Sequence, residues 1–202
     1  MTIGLYERLS GPAWQQLSEN VRKAHVAGDS LRARGVFSVQ HGQFFLARLL
    51  ARLLRLPSPA DATAVQLQVT VSERGEKWER SFGSRRLISF QTATADNLLA
   101  ERFGPFVIRF RLHPSADELS YHQQGVAVGF GRLRLPLPAW LAPRVQVTER
   151  AVNATARTHV AVSISQPPLG LVIRYEGEFE VEEHLDEHRS VDLSRSGHPG
   201  SV

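Results

Sequence analysis

The sequence predicts an α+β fold: a strongly curved antiparallel β-sheet or barrel of about nine strands, with two helices from the N-terminal half packed on it. Three observations predict it. After residue 64 apolar residues recur with a period of two, as in Val65, Leu67, Val69 and Val71 against Gln66, Gln68, Thr70 and Ser72. The alternating runs are short and are parted by Gly and Pro turns, the pattern of an antiparallel meander with one buried and one wet face. Only ahead of Pro57 is the apolar spacing helical. A single sheet of this many strands curls strongly or closes, and early helices would cover its concave side.

In chain order, residues 3–27 read as helical on Leu5, Leu9, Leu17, Val21 and Ala24. Gly11-Pro12 divides that segment and Gly28-Asp29 ends it. Leu31–Gln40 is expected as a strand, and Gln43–Leu56 as a second helix closed by Pro57 and Pro59. Beyond Val71, strands are expected at Trp78–Phe82, Leu87–Thr94, Leu98–Phe103, Phe106–Leu112 and Leu119–Phe130. A Pro-rich connector, Pro136–Pro143, then leads to strands around Val145/Val147, Val160–Ile164 and Leu171–Val181. Residues 1–183 are expected to form one domain.

The 202 residues contain 22 Arg but only 2 Lys, and no Cys. The missing Cys excludes disulfides, thiolate zinc sites, iron–sulfur clusters and Cys nucleophiles. Charge is unevenly placed. Residues 1–175 carry 22 basic and 12 acidic side chains, and residues 176–202 carry 2 and 8. Residues 184–202 lack an apolar period and are expected to form a disordered acidic tail. The arginines form no long run and the aromatics fall on the apolar face of each strand, so nucleic acid is not the expected partner. Met1–Ser10 lacks the apolar core of a secretory signal, and no apolar stretch is long enough to span a membrane. A cytoplasmic protein, at most peripheral to the inner membrane of a bacterium, is the expectation.

Few residues suggest chemistry. His184-Leu185-Asp186-Glu187-His188 fits an H-x-x-E-H zinc-peptidase pattern, but it falls in the expected tail with no third ligand in sight and reads as a chance match. P-loop, G-x-S-x-G and dinucleotide-binding patterns are lacking, and neither cofactor nor metal is expected. Phe44–Leu56 is the most unusual segment. Arg48, Arg52 and Arg55 stand at i, i+4 and i+7 on an otherwise apolar helix. That suits a helix wedged against the sheet, a lid over an apolar ligand, or a helix contacting a membrane or partner through Arg48, Arg52 and Arg55. Arg80 shares its strand face with Trp78 and Phe82, opposite Lys77, Glu79 and Ser81. Turned inward, its guanidinium needs an acceptor, and Glu101 and Glu149 are acids available on other strands. It then forms a structural ion pair stacked on Trp78, or anchors the acidic head group of an apolar ligand.

An ordered set of short motifs also resembles a known family. It comprises Leu5-Tyr6-Glu7-Arg8-Leu9, Gly11-Pro12-Ala13-Trp14, the Leu-Ala-Arg-Leu-Leu helix, Trp78-Glu79-Arg80-Ser81-Phe82-Gly83, Glu101-Arg102-Phe103-Gly104-Pro105, Leu135-Pro136-Leu137-Pro138, Leu141-Ala142-Pro143-Arg144 and Pro168-Leu169-Gly170-Leu171. The set resembles an uncharacterised bacterial domain of unknown function, found alone or fused to saccharopine-dehydrogenase-like oxidoreductases or DoxX-like membrane proteins. The resemblance implies a bacterial accessory domain, with an oxidoreductase or membrane protein as partner, and brings no catalytic residues with it.

Together these readings favour a non-enzymatic binding domain for an apolar or lipid-like small molecule, accessory to a redox enzyme. The expected ligand-binding residues are Trp78, Arg80, Phe82, Phe44, Phe45 and Leu49. The alternatives are a protein- or membrane-docking module built on the Phe44–Leu56 helix, and a metal-free enzyme using Arg, Glu and Tyr.

Overall fold

The computed structural model describes residues 3–25, 28–130, 133–152 and 155–182. The expected acidic tail at 184–202, with its His184–His188 motif, lies outside the described residues. In order, the elements are α1 (Leu5–Ser10), a 3₁₀ helix (Gly11–Gln16), α2 (Glu19–Lys23), β1 (Ser30–His41), α3 (Phe45–Leu53), β2 (Ala60–Ser72), β3 (Gly75–Phe82), β4 (Arg85–Ala93), β5 (Leu99–Phe103), β6 (Phe106–Pro114), β7 (Glu118–Phe130), β8 (Leu133–Pro136), β9 (Arg144–Ala151), β10 (Arg157–Gln166) and β11 (Gly170–Val181).

The sheet is mostly a meander, and every pairing is antiparallel. Neighbours run β6-β5-β4-β3-β2-β1-β11-β10-β9-β7, and β7 pairs back onto β6, so ten strands close into a barrel. The eleventh, β8, hangs outside on the second half of β7. This strand lies within and just ahead of the Pro-rich stretch, where Pro136 hides the alternation, so the sequence pattern undercounts it. β7 pairs with β9 only as far as Tyr121. Beyond that point the Gln123 side chain continues the ladder, accepting from Val145 N–H at 2.7 Å and donating to Pro143 C=O at 2.9 Å.

Closure depends on the first and last strands coming together. In β1–β11, Gly35 pairs with Phe179 and Phe37 with Gly177. A Cβ on Gly35 would overlap the Glu178 carbonyl oxygen and sit 2.9 Å from Phe179 Cα. The Phe rings turn inward from this glycine seam, and Phe37 meets Phe82 edge-on with centroids 6.0 Å apart.

A closed sheet has no open concave face, so the helices occupy its two ends rather than the hollow of a sheet. The N-terminal segment is three short helical pieces, with Pro12 starting the 3₁₀ helix. None is long enough to be stable alone. Burial of Tyr6, Leu9, Trp14, Leu17 and Val21 holds them across the barrel end formed by β4, β6, β9 and β10.

At the opposite end α3 lies against β1 and β11 through Ala47 and Ala51, both fully buried one helical turn apart. Two small residues allow the close approach that Gly42, pressed on the Leu171 carbonyl, begins. The helix ends in a Schellman pattern. Leu56 N–H bonds Ala51 C=O at 2.9 Å, Arg55 N–H bonds Arg52 C=O at 3.1 Å, and Arg55 itself is left-handed at φ 55°. Pro57 follows. α3 is therefore not a wedge buried on three sides, as one reading of its sequence allowed. It rests on one narrow stripe.

The glycine seam predicts a specific sensitivity. Gly35→Ala should destabilise the barrel by about 1–3 kcal/mol through overpacking, a fall in thermal midpoint of roughly 2–4 °C per kcal/mol at this size. Gly28→Ala, with no atom near its would-be Cβ, should leave the midpoint unchanged in the same calorimetric comparison.

Candidate functional site

The barrel interior is apolar around most of its wall and polar toward the end plugged by α1 and α2. Each strand supplies its inward residues: Glu76, Trp78 and Arg80 from β3, Ser89 and Gln91 from β4, Glu101 from β5, Tyr121 from β7, Glu149 from β9 and Tyr175 from β11. The plug adds Tyr6 and His25. A cavity of about 130 Å³ lies between this cluster and a wall that includes Phe37, Val65, Leu67, Phe82, Val162 and Ile173.

Arg80 faces this cavity. Its guanidinium carbon lies 5.0 Å from the Trp78 ring centroid. Nη1 donates to Ser89 Oγ at 3.1 Å and lies 3.7 Å from Glu101 Oε1. Both the stacking and the ion pair raised by the sequence pattern are thus present, with Glu101 as the acid. Burial by itself would lower the Arg80 pKa, but its neighbours, the Glu101 carboxylate foremost, outweigh it and raise it. Nε and Nη2 make no hydrogen bond among the described residues. Arg80 and Glu101 retain 21% and 18% of their side-chain surface, and both line the cavity.

A second chain of bonds forms the floor. His25 Nε2 donates to Glu149 Oε2 at 2.6 Å, and Tyr121 O–H donates to Glu149 Oε1 at 2.6 Å. Tyr6 O–H donates to Gln91 Oε1 at 2.7 Å and its ring stacks on His25 at 3.8 Å. The Tyr6 and Tyr121 oxygens are 3.3 Å apart. Each phenol has one proton, and the shorter bonds take both, so these oxygens meet the cavity chiefly as acceptors. His25 Nδ1 is buried without a partner.

The floor is held in one protonation pattern. Burial pushes Glu149 upward, but His25, the Tyr121 hydrogen bond and Arg80 overcome it and hold the carboxyl below the usual carboxylate range. Burial, then Glu149, raises the phenols of Tyr6 and Tyr121 well above the usual tyrosine range. Tyr175 is raised by burial as well. Burial also raises Glu76, against the Trp78 N–H that donates to it at 3.0 Å. Phenols so placed stay protonated and serve as fixed polar contacts. His25, beneath Tyr6, is not part of the cavity wall. Among the described residues no three His, Asp or Glu side chains are grouped to hold a metal ion.

A wider cavity of about 480 Å³ sits at the barrel mouth under α3, lined by Leu50, Leu54, Leu137, Leu141 and Pro168 among others. It shares Leu56, Phe103, Ile108, Val145 and Ile164 with the inner cavity, so one apolar partition separates the two. Of the residues expected to bind a ligand, Trp78, Arg80 and Phe82 meet in the lumen. Phe44, Phe45 and Leu49 do not join them: all three are exposed on the outer side of α3, because Ala47 and Ala51 define the buried stripe. Leu50, Leu54 and Leu56 line the mouth in their place. Sequence reasoning missed Tyr6, Gln91, Tyr121 and Tyr175. A signal existed for Tyr121, which shares the inward phase of Leu119. Glu101 and Glu149 carry the same signal, as acids in phase with Leu99/Phe103 and Val145/Val147.

The Glu149 pair predicts a pH and mutational response. Its folded pKa lies below the unfolded carboxylate value of about 4.3. The stability it contributes is therefore present above that pH and is lost as the pH falls through the folded value. Glu149→Gln should remove about 3 kcal/mol at pH 7, since a neutral amide has one acceptor oxygen for the two buried donors, His25 Nε2–H and Tyr121 O–H. It should also flatten the acid limb of a plot of thermal midpoint against pH. An unchanged acid limb would contradict this account of the floor.

No curated relative and no solved structure matches the chain. Among the described residues no helix is long and apolar enough to cross a membrane. The profile of a family described as a domain of unknown function, DUF4166, matches residues 17–179, from just ahead of α2 to the Phe179 of the glycine seam. Because that span holds ten strands whole, β11 as far as Phe179, and every lumen residue except Tyr6, the chain belongs to the DUF4166 family.

Proposed function

We propose that the protein is a non-enzymatic binding domain that holds an apolar or lipid-like small molecule inside the barrel. One observation supports this above the others. The lumen holds a largely apolar cavity lined by Arg80, whose Nε and Nη2 make no hydrogen bond among the described residues. Arg80 keeps 21% of its side-chain surface, and an acceptor on a bound ligand would take up these donors.

The surroundings of Arg80 favour a particular acceptor. Glu101 lies 3.7 Å from the guanidinium and Glu149 is held ionised in the same lumen. A further carboxylate would enter a site already supplied with negative charge. A neutral carbonyl, ester or ether oxygen suits it better than the acidic head group that the bare sequence pattern brings to mind. The inner cavity of about 130 Å³ is close to one that accepts a single benzene-sized ring. A longer apolar tail would pass the Leu56–Ile108 partition into the mouth cavity under α3.

The reading is tested by native mass spectrometry of gently purified protein, with organic extraction and titration of a medium-chain alkyl ketone. Arg80→Met alone strands Glu101, so Arg80→Met/Glu101→Gln is the informative variant. It should bind about 10- to 150-fold more weakly, the range for a lost hydrogen bond to a charged group. Val160→Phe, which fills the lumen from β10, should abolish binding with the fold intact by circular dichroism. Equal ketone affinity in all three proteins, or none in any, would contradict the reading.

A further inference from the structure

The two ends of the barrel differ in charge and in exposed apolar surface. At the end plugged by α1 and α2, the connections mix signs: Glu73 beside Arg74, Asp96, Asp117, and Glu19 paired with Lys23 at 2.9 Å. At the α3 end, residues 42–60, 83–86, 104–105, 133–144 and 166–170, which include β8 and the first residues of β4 and β9, hold Arg48, Arg52, Arg55, Arg85, Arg86, Arg134 and Arg144. The acids beside them are Asp61, at the start of β2, and Glu79, which pairs with Arg86. Arg48, Arg52 and Arg55 are exposed and take part in no ion pair among the described residues.

The same end carries large apolar side chains in the open. Phe45 is 62% exposed, Leu53 72% and Trp140 68%, with Phe44, Leu49 and Leu133 also exposed. Two elements far apart in sequence supply them, α3 and the β8–β9 region, and they meet across the mouth cavity through Leu50, Leu54, Leu137 and Leu141. Clustered exposure of this kind marks a contact surface.

We infer that the α3 end of the barrel docks on an anionic lipid surface. Arginines interleaved with Phe and Leu on a short helix, with Trp140 exposed beside it, are the composition of an interfacial anchor. The cations meet lipid phosphates while the apolar tips enter the acyl boundary. Arg55 adds a second argument. It occupies a left-handed position at φ 55° that glycine fills with less strain, and there it extends the cationic set of Arg48 and Arg52. Docking rests on the outer surface and does not require the lumen to be filled. Where the lumen binds a lipid-like molecule, the docked face is also the one that opens beneath α3.

Vesicle sedimentation and Trp fluorescence test this with the full chain. Trp14 and Trp78 are buried at 3% and 5% exposure, so a blue shift on adding vesicles reports Trp140. The expected result is binding to phosphatidylcholine vesicles that contain phosphatidylglycerol, a blue shift that Trp140→Phe removes, and loss of binding in high salt. Arg48→Ala/Arg52→Ala should lower the partition coefficient about fivefold for each arginine removed. Phe45→Ser/Leu53→Ser should weaken it as well, and all these side chains are exposed, so folding is spared. Arg55→Gly separates docking from stability: its thermal midpoint should rise while vesicle binding falls. Equal binding to neutral and anionic vesicles, binding unchanged in the arginine variants, or no binding at all would overturn the inference. In the last case an apolar protein surface becomes the occupant to seek.

Discussion

Closure of the sheet is the constraint on which the other features depend. Pairing β1 with β11 and β6 with β7 removes every free edge from the ten-strand ring. It also denies the helices a concave face to lie in. The N-terminal pieces become a plug at one end, and α3 becomes a thin cover at the other. The glycine seam of Gly35 and Gly177 lets the first and last strands approach closely enough for this to happen.

A closed barrel of this size must fill its interior or leave a cavity, and here it does both. The floor is filled by rings and carboxylates that satisfy one another: Tyr6 on His25, His25 on Glu149, Glu149 on Tyr121. Buried polar networks carry a high desolvation cost unless nearly every member is bonded, and this one is nearly complete. The middle is left open. Arg80 spans the boundary between the two regions, tied on one side to Ser89 and Glu101 and unbonded on the other.

Much of the fold was legible from alternation alone, because a half-buried strand writes its inward face into the sequence at every second residue. Val65, Leu67 and Val69, or Ile108, Phe110 and Leu112, are examples. The inward turn of Arg80 follows from the same phase, through Trp78 and Phe82. Closure was not legible, since it rests on one pairing between strands separated by most of the chain. Nor was the orientation of α3. Its leucines outnumber its alanines, and hydrophobicity alone would bury the leucines, yet close approach to β11 selects Ala47 and Ala51 and turns Phe45 and Leu53 outward. The plug residues Tyr6 and His25 could not be linked to the strands by any local pattern, because their partners lie more than eighty residues away.

The central claim is that Arg80 reserves part of its guanidinium for a ligand. The most direct measurement is the Arg80 Nε–H resonance, followed by nitrogen-15 NMR as a medium-chain alkyl ketone is added and assigned through Arg80→Met/Glu101→Gln. The account predicts a saturable downfield shift of that proton, with matching shifts at Ser89, Phe82 and Val162 around the lumen. A ketone that shifts only the α3 and β8 amides, leaving the Arg80 Nε–H in place, would contradict it.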